Sequence, residues 1–379
     1  MSFLRNITGL LGTWPFLIIY LVAIALMISP TPKHPDRTLQ TGRAVTDMTD
    51  RTVYIEANTP QTFILTPVLW HYLSVNLDAD PVTKLPPYMT KEFTSSVLGS
   101  IFPTLLDKSL AFTDFSGPAP ISVEEVLEAN PDAVLIWNYM VAGLELVNFQ
   151  GTLQIAADGG DKTKLFNLLG GLTGKEDWVS HIWERFYQER DEVLLGLDNC
   201  PQKTRVGILG GAGFNLWGGP SQRYLFNNML MVCGENVAPQ MSAAGGVLNV
   251  ENLLILDPDV LLLNPYVLDQ TDMRVSAIYE DPRFQGLKAV RNRRVYHMPL
   301  GASRLEGPVE VPLSMLWLRE ILNPFNPSNL NLRDKIRETY LDIYGYEVTE
   351  SQIDTWLRLE ENQDSAYYDR FIRTTNGKQ

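Results

Sequence analysis

One short pattern occurs twice in this chain, 127 positions apart, and it limits the fold more than any other feature. Residues 123–137 read Val-Glu-Glu-Val-Leu-Glu-Ala-Asn-Pro-Asp-Ala-Val-Leu-Ile-Trp. Residues 250–264 read Val-Glu-Asn-Leu-Leu-Ile-Leu-Asp-Pro-Asp-Val-Leu-Leu-Leu-Asn. Six of the fifteen positions are identical. Each copy reads as a short helix, a Pro-Asp turn and a buried strand. In the first copy, Ser122 and Glu125 fit a capping box. A unit repeated at this distance predicts two lobes built alike.

Around both copies, strand and helix patterns alternate, which predicts parallel sheets covered by helices. Strands are expected at 51–56, 62–65, 133–137, 152–156, 205–209, 260–263 and 294–297. Helices are expected at 67–75, with Pro67 in the first turn, and at 221–233, closed by Gly234 as a C-cap. A further helix is expected at 312–322. Between the copies, residues 174–197 place Trp178, Ile182, Phe186 and Val193 near one face, with charges elsewhere. That is a long amphipathic helix of about 33 Å. Residues 323–379 read as a polar, tyrosine-rich helical tail with helices at 332–344 and 348–359.

The amino terminus sets the compartment. Arg5 is the only charged side chain before Lys33, and residues 10–28 form an uncharged run of 19. As a helix the run reaches about 28 Å, close to the hydrocarbon thickness of a bilayer. It is either a signal peptide or a membrane anchor. Its small-residue pair Ala23 and Ala25 lies inside the apolar run, and Ser29 precedes Pro30. Both features favour an uncleaved anchor, with the remainder outside the cytoplasm. Residues 30–42 are rich in Pro and polar groups and read as a tether.

Charge and residue content exclude several functions. The net charge of -13, with no basic run, argues against nucleic acid. Cys200 and Cys233 are the only cysteines; they form either a disulfide or two separate thiols. The four histidines, His34, His71, His181 and His297, fall on separate elements, which argues against direct capture of a bare metal ion. His297 falls near the cleft by topology, although a lone strand histidine is commonly structural. No GxSxG, HExxH or P-loop is present, so no enzymatic activity and no catalytic residue are expected.

These features together resemble a known family. A helix with Glu, a Pro-Asp turn and an apolar strand, once per lobe with a long helix between, is similar to the class III substrate-binding proteins of ABC importers. That family serves ferric siderophores, haem, cobalamin and related metal complexes. The stretch from Tyr279 to Tyr296, with Asp281-Pro-Arg-Phe and Ala289-Val-Arg-Asn-Arg-Arg-Val-Tyr, resembles a family signature. Ile321-Leu-Asn-Pro-Phe and the region 340–353 resemble tails of some iron-complex binders. The likeness covers residues 43–360.

The resemblance implies an α/β fold of two Rossmann-like lobes joined by a long rigid α-helix, with an N-terminal apolar helix and a C-terminal helical tail. The expected divisions are 1–29 (signal peptide or anchor), 30–42 (tether), 43–173 (first lobe), 174–197 (interlobe helix), 198–322 (second lobe) and 323–379 (tail). Implied is a periplasmic monomer that captures an iron chelate of the siderophore type and delivers it to a membrane permease with its ATPase. Cobalamin, haem or an oxyanion are alternative ligands. A membrane-tethered enzyme or sensor on the same scaffold is the alternative role. No covalent cofactor is expected, and the ligand is expected to be a metal complex. Glu124 and Glu251 are implied to meet arginines of the permease, one carboxylate per lobe fixing the docking register.

Ligands of open α/β lobes collect beyond the carboxyl ends of the strands. That rule nominates Thr66, Tyr139 and Met140 in the first lobe, and the loop 210–219, Tyr266 and Arg304 in the second. The glycines of that loop let backbone approach a ligand while Trp217 stacks on it. Arg304 suits a carboxylate- or catecholate-bearing complex. Tyr88 is a weaker candidate.

Overall fold

The structure is a computed structural model. It describes residues 42–55, 60–64, 68–83, 96–108, 128–138, 151–156, 161–197, 200, 202–210, 215–216, 230–237, 250–264, 274–302 and 305–373. The apolar run, the tether up to Thr41 and the capping box at Ser122 lie outside these residues. Among the described residues, no helix is long and apolar enough to cross a membrane.

The described chain starts with an antiparallel hairpin of β1 (Arg43–Thr46) and β2 (Thr52–Ile55). Its turn is organised by Asp47. One carboxylate oxygen accepts from the Thr49 and Arg51 amides, and the other accepts from the Arg51 guanidinium and from the Gln154 amide. Burial pushes this carboxyl up, but hydrogen bonds from Thr49, Arg51 and Gln154 outweigh it and hold it below the usual range.

Next come β3 (Thr62–Ile64), α1 (Leu69–Val75), β4 (Ala133–Trp137), β5 (Thr152–Ile155) and α2 (Lys162–Thr173). The three strands form a parallel sheet in the order β3-β4-β5. Helix α2 is capped by Asp161, whose side chain accepts from the Lys164 amide, and ends at Gly174 with φ of 68°. The long helix α3 (Glu176–Leu194) follows directly. Gly170 permits the close contact between them, because an added Cβ would sit 3.0 Å from a Val179 methyl. Helix α3 buries Val179, Ile182, Phe186 and Val193, close to the face expected.

A second sheet is built from β6 (Thr204–Gly210), β7 (Asn215–Leu216), β8 (Gly234–Asn236), β9 (Val260–Leu263) and β10 (Val295–His297). Its order is β10-β9-β6-β7, with β8 also paired to β6. All pairs are parallel except β6 with β7. Helices α4 (Val250–Leu256) and α5 (Val275–Glu280) belong to this part. Both sheet faces are covered, as the unbroken apolar run of β9 requires. Val260 and Leu262 join the main core, while Leu261 and Leu263 join a smaller cluster with Leu253, Ile278 and Phe284.

One expectation is corrected here. Gly234 is not the C-cap of a helix ending at Cys233: Gly234 opens β8, and Cys233 itself adopts the left-handed conformation with φ of 66°. A disulfide joins Cys233 to Cys200, with the Cα atoms 5.6 Å apart. The Cys233 carbonyl accepts from the Thr204 amide, so the crosslink and the first bond of β6 share a residue.

Helices α6 (Val311–Leu322), α7 (Leu332–Tyr344) and α8 (Glu350–Trp356) complete the chain. Every residue of α6 is buried. Its Arg319 donates to the Val193 and Leu195 carbonyls at 2.6 and 2.9 Å, satisfying orphan acceptors at the carboxyl end of α3. Further along α3, Arg185 bonds Asp342 and Thr339 of α7, and Lys335 bonds Glu192. Trp178 donates to the Ser74 carbonyl at the end of α1. Helix α3 thus contacts α1 and α2 on one side and α6 and α7 on the other.

The tail also seals an edge. β10 has no strand on its outer side among the described residues. Asn362 accepts from the His297 amide and donates to the His297 carbonyl, at 2.7 and 3.0 Å. Ser365 donates to the Val295 carbonyl, and the Ala366 amide donates to the Arg293 carbonyl. Covering an edge in this way blocks pairing with another chain.

Candidate functional site

The repeated pattern has the same geometry twice. Asn130 and Asp257, at matched positions, take left-handed conformations with φ of 42° and 38°. Asn and Asp tolerate that region better than most side chains. The aspartate of each Pro-Asp turn then clips the preceding parallel strand. Asp132 accepts from the Gln61 amide at 3.0 Å and returns its own amide to the Gln61 carbonyl at 2.8 Å. Asp259 accepts from the Arg205 amide at 3.1 Å and returns its amide to the Arg205 carbonyl at 2.8 Å. The register follows: Ala133 lies opposite Thr62, and Val260 opposite Val206.

Glu251 sits in the first turn of α4 and is exposed. It makes no ion pair with a described residue. Its counterpart Glu124 lies outside the described residues. So do Thr66, Tyr88, Tyr139, Met140, Trp217, Tyr266 and Arg304. In chain order, Thr66 follows β3, Tyr139 and Met140 follow β4, Trp217 follows β7, Tyr266 follows β9, and Arg304 follows β10.

Described side chains that follow the strands form a cluster missed by the sequence reading. His71 lies on α1, after β3. Lys162 opens α2, after β5. Glu306 lies in the connection from β10 to α6. The Lys162 ammonium is 3.2 Å from His71 Nε2 and 3.8 Å from Glu306 Oε2. Burial pulls the Lys162 pKa down, and the Glu306 charge opposes that shift. Gly307 rests on the imidazole: an added Cβ would be 2.8 Å from His71 Nδ1. The cluster therefore ties the connection after β10 to helices that belong with the first sheet.

A second carboxylate holds the same connection from the other side. Glu310 is fully buried. It accepts from the Ala302 amide at 2.7 Å, the Leu305 amide at 3.4 Å and the Tyr340 hydroxyl at 2.6 Å. Burial, reinforced by the Glu310 charge, pushes the Tyr340 phenol well above its ordinary value, so it remains a donor. Gly301 leaves room for this carboxylate, since an added Cβ would overlap it. The one local signal in the sequence was a lone glutamate inside Gly307-Pro-Val-Glu-Val-Pro.

The other histidines are accounted for by packing. His297 is buried beneath the tail, and burial pulls it down to about 4, with Arg358 adding to the shift. It is neutral at pH 7. His181 stacks on Trp178 and contacts Asp342. His34 lies outside the described residues. Among the described residues no group of three His, Cys, Asp or Glu is placed to hold a metal ion.

Comparison with known proteins gives this architecture its context. The sequence profile of the periplasmic binding protein family matches residues 102–300, more than half of the chain. No curated protein sequence matches. Solved structures do. A periplasmic solute-binding protein from Veillonella parvula aligns with a TM-score of 0.69 at 24% identity, over 84% of this chain and 98% of its own. An ABC transporter solute-binding protein from Sulfurospirillum deleyianum aligns at 0.64 and 16%, over 84% and 99%. The Haemophilus influenzae molybdate-binding protein MolA aligns at 0.66 and 18%, over 81% and 99%. At these identities the structural matches speak to fold. Together with the profile match they place the chain: it belongs to the periplasmic binding protein family, in its class III, whose members bind small-molecule solutes outside the cytoplasm and work with an ABC permease and ATPase.

Proposed function

We propose that this chain captures an iron-chelate complex of the siderophore type and delivers it, as a monomer, to an ABC permease. The observation that carries the reading is the paired Pro-Asp turn. Two turns with matching hydrogen bonds recur at matched positions, and each copy of the repeat carries a glutamate at the same place in its sequence. One exposed carboxylate per lobe is the chemistry needed to engage two arginines and fix a docking register. Solute-binding proteins are transport components, and the cleft chemistry asked of this one is recognition alone. Structural neighbours include proteins solved with molybdate and with nickel, an iron-uptake binding protein from Bacillus subtilis and a haem-binding protein. Among these ligand classes, the iron chelate is supported by the aromatic and arginine residues that follow strands in chain order, Tyr139, Trp217, Tyr266 and Arg304, together with Thr66, Met140 and the separate candidate Tyr88. The apolar run at 10–28 supplies the membrane anchor in this reading, and 30–42 the tether.

The test is charge reversal at both glutamates. Glu124→Arg with Glu251→Arg abolishes uptake while the affinity for the solute is retained. Equal loss of uptake and of solute binding contradicts the docking assignment.

A further inference from the structure

His71, Lys162 and Glu306 bring a buried cation to the place where solutes of open α/β lobes collect. His71 follows β3, Lys162 follows β5 and Glu306 follows β10, so both sheets contribute from the carboxyl ends of their strands. Lys162 is only 6% exposed. An ammonium this deep needs close partners, because lost hydration disfavours its charge. Those partners are incomplete. The ammonium donates to His71 Nε2 at 3.2 Å, which makes that nitrogen a neutral acceptor. The Glu306 carboxylate stands off at 3.8 Å, beyond hydrogen-bonding distance, with 28% of its side chain exposed. Among the described residues the ammonium has no other hydrogen bond or ion pair. The backbone around Glu306 is pinned. Leu305, just before it, is fully buried yet left-handed, with φ of 59°, a region that bulky side chains rarely adopt. Its amide donates to the buried Glu310, and Gly307 packs on the His71 ring. Strained residues of this kind cluster at ligand clamps and switch regions. The Glu306 side chain is the part of this connection that can move.

We propose that the Lys162 ammonium receives an anionic oxygen of the solute, carboxylate or catecholate, and that Glu306 is a stand-in holding the site until the solute replaces it. The inference rests on the chelate-capture reading above and deepens it by naming the charge of the solute. Glu306 itself shows what the position takes: one carboxylate oxygen approaching Nζ from the connection between β10 and α6. A solute oxygen at hydrogen-bonding distance completes the ammonium's partners, while the displaced Glu306 side chain turns into water, where its charge is screened. His71 keeps its place as acceptor and fixes the direction of the remaining N–H groups. Neutral and cationic solutes gain nothing from the exchange, so the site selects by charge. The two charges therefore act in opposite directions: Lys162 attracts the solute, and Glu306 competes with it.

The experiment is calorimetric titration of the full chain with three probes: ferric citrate, an anionic ferric tris-catecholate and a cationic ferric trihydroxamate. The first two distinguish the kinds of anionic oxygen. Glu306→Gln keeps the side-chain shape and removes the competing charge. Its affinity for the anionic probe that the wild type binds rises about fivefold, as expected when an internal competitor no longer occupies the site. Lys162→Met lowers that affinity about tenfold, the loss of one charge-assisted hydrogen bond. Neither substitution changes affinity for the cationic probe. A purely structural tie would instead weaken binding in both variants or leave it unchanged. A fall or no change with Glu306→Gln overturns the proposal and leaves chelate capture intact, whether or not Lys162→Met folds. Unchanged anionic binding by a folded Lys162→Met does the same. A wild type that binds only the cationic probe overturns the proposal alone; one that binds none of the three overturns chelate capture with it.

Discussion

The two sheets share a clip and differ in what holds their margins. Asp132 and Asp259 make the same pair of backbone contacts to the strand before them. The first sheet is held by chain that precedes it: the β1–β2 hairpin turns on Asp47, and Asp47 reaches the Gln154 amide of β5, 107 residues further on. The second sheet is held largely by chain that follows it. Its β10 margin is covered by Asn362, Ser365 and Ala366, which follow it by some seventy residues, and its start is crosslinked by Cys200 and Cys233. A repeated unit fixes the centre of a lobe, while the surroundings of each copy are free to diverge. The two copies also differ at a matched exposed position, Glu128 in one and Ile255 in the other.

The sharpest way to break this comparison is to remove the tail. Ending the chain after Leu359 uncovers β10 and takes away Tyr368, which accepts from the buried Trp317 indole at 3.0 Å. We expect loss of cooperative thermal unfolding and concentration-dependent aggregation, read by calorimetry and light scattering. A stable, monomeric truncation would show that the second sheet needs no remote seal. Breaking the crosslink is a smaller step. Cys200→Ser with Cys233→Ser should cost about 2–4 kcal/mol in urea unfolding, chiefly by relaxing the unfolded chain. Reducing agent should reproduce the loss in the wild type and change nothing in the variant.

His297 separates the sheets by pH. Its folded pKa of about 4 lies below the ordinary value of 6.5, so the unfolded chain binds the proton more readily between the two. The stabilisation is complete above about pH 6.5 and is lost as the pH falls through 4, amounting to on the order of 3 kcal/mol. His297→Gln should flatten that slope between pH 6.5 and 4. An unchanged slope would remove His297 from the account. The smallest effect concerns what the sheets share. Asp132→Ala and Asp259→Ala should each cost about 0.5–1.5 kcal/mol, the net worth of a typical intramolecular hydrogen bond. Similar costs support equivalence of the clips; a cost at one position alone denies it.

Much of this architecture was legible from apolar runs. β4 and β9 coincide with the strands expected, and α7 with the helix expected at 332–344, where Asn331 and Gly345 mark both ends. Helix α2 was not anticipated. Gly170 and Gly171 weaken its pattern, and the use of Gly170, close packing on α3, depends on a neighbouring element. The helix expected to run to Cys233 has already given way to a turn at 231–233, because a disulfide and the pairing of β8 override the glycine signal. For the site, the repeat identified Glu251 because its position recurs. The cluster of His71, Lys162 and Glu306 gave no such signal: its members are far apart in sequence and meet only when the chain folds. Nor did Glu310, whose partners are backbone amides and a tail tyrosine.

The central claim is capture of a metal chelate, and a ligand-induced rise in melting temperature tests it most directly. The purified chain is screened against ferric chelates, haem, cobalamin and molybdate, each well above micromolar concentration. A specific solute at a hundred times its Kd adds about 2.7 kcal/mol to the folded state. The account predicts a rise of several degrees with a ferric chelate and none with free ferric ion. No rise with any of these solutes would contradict it.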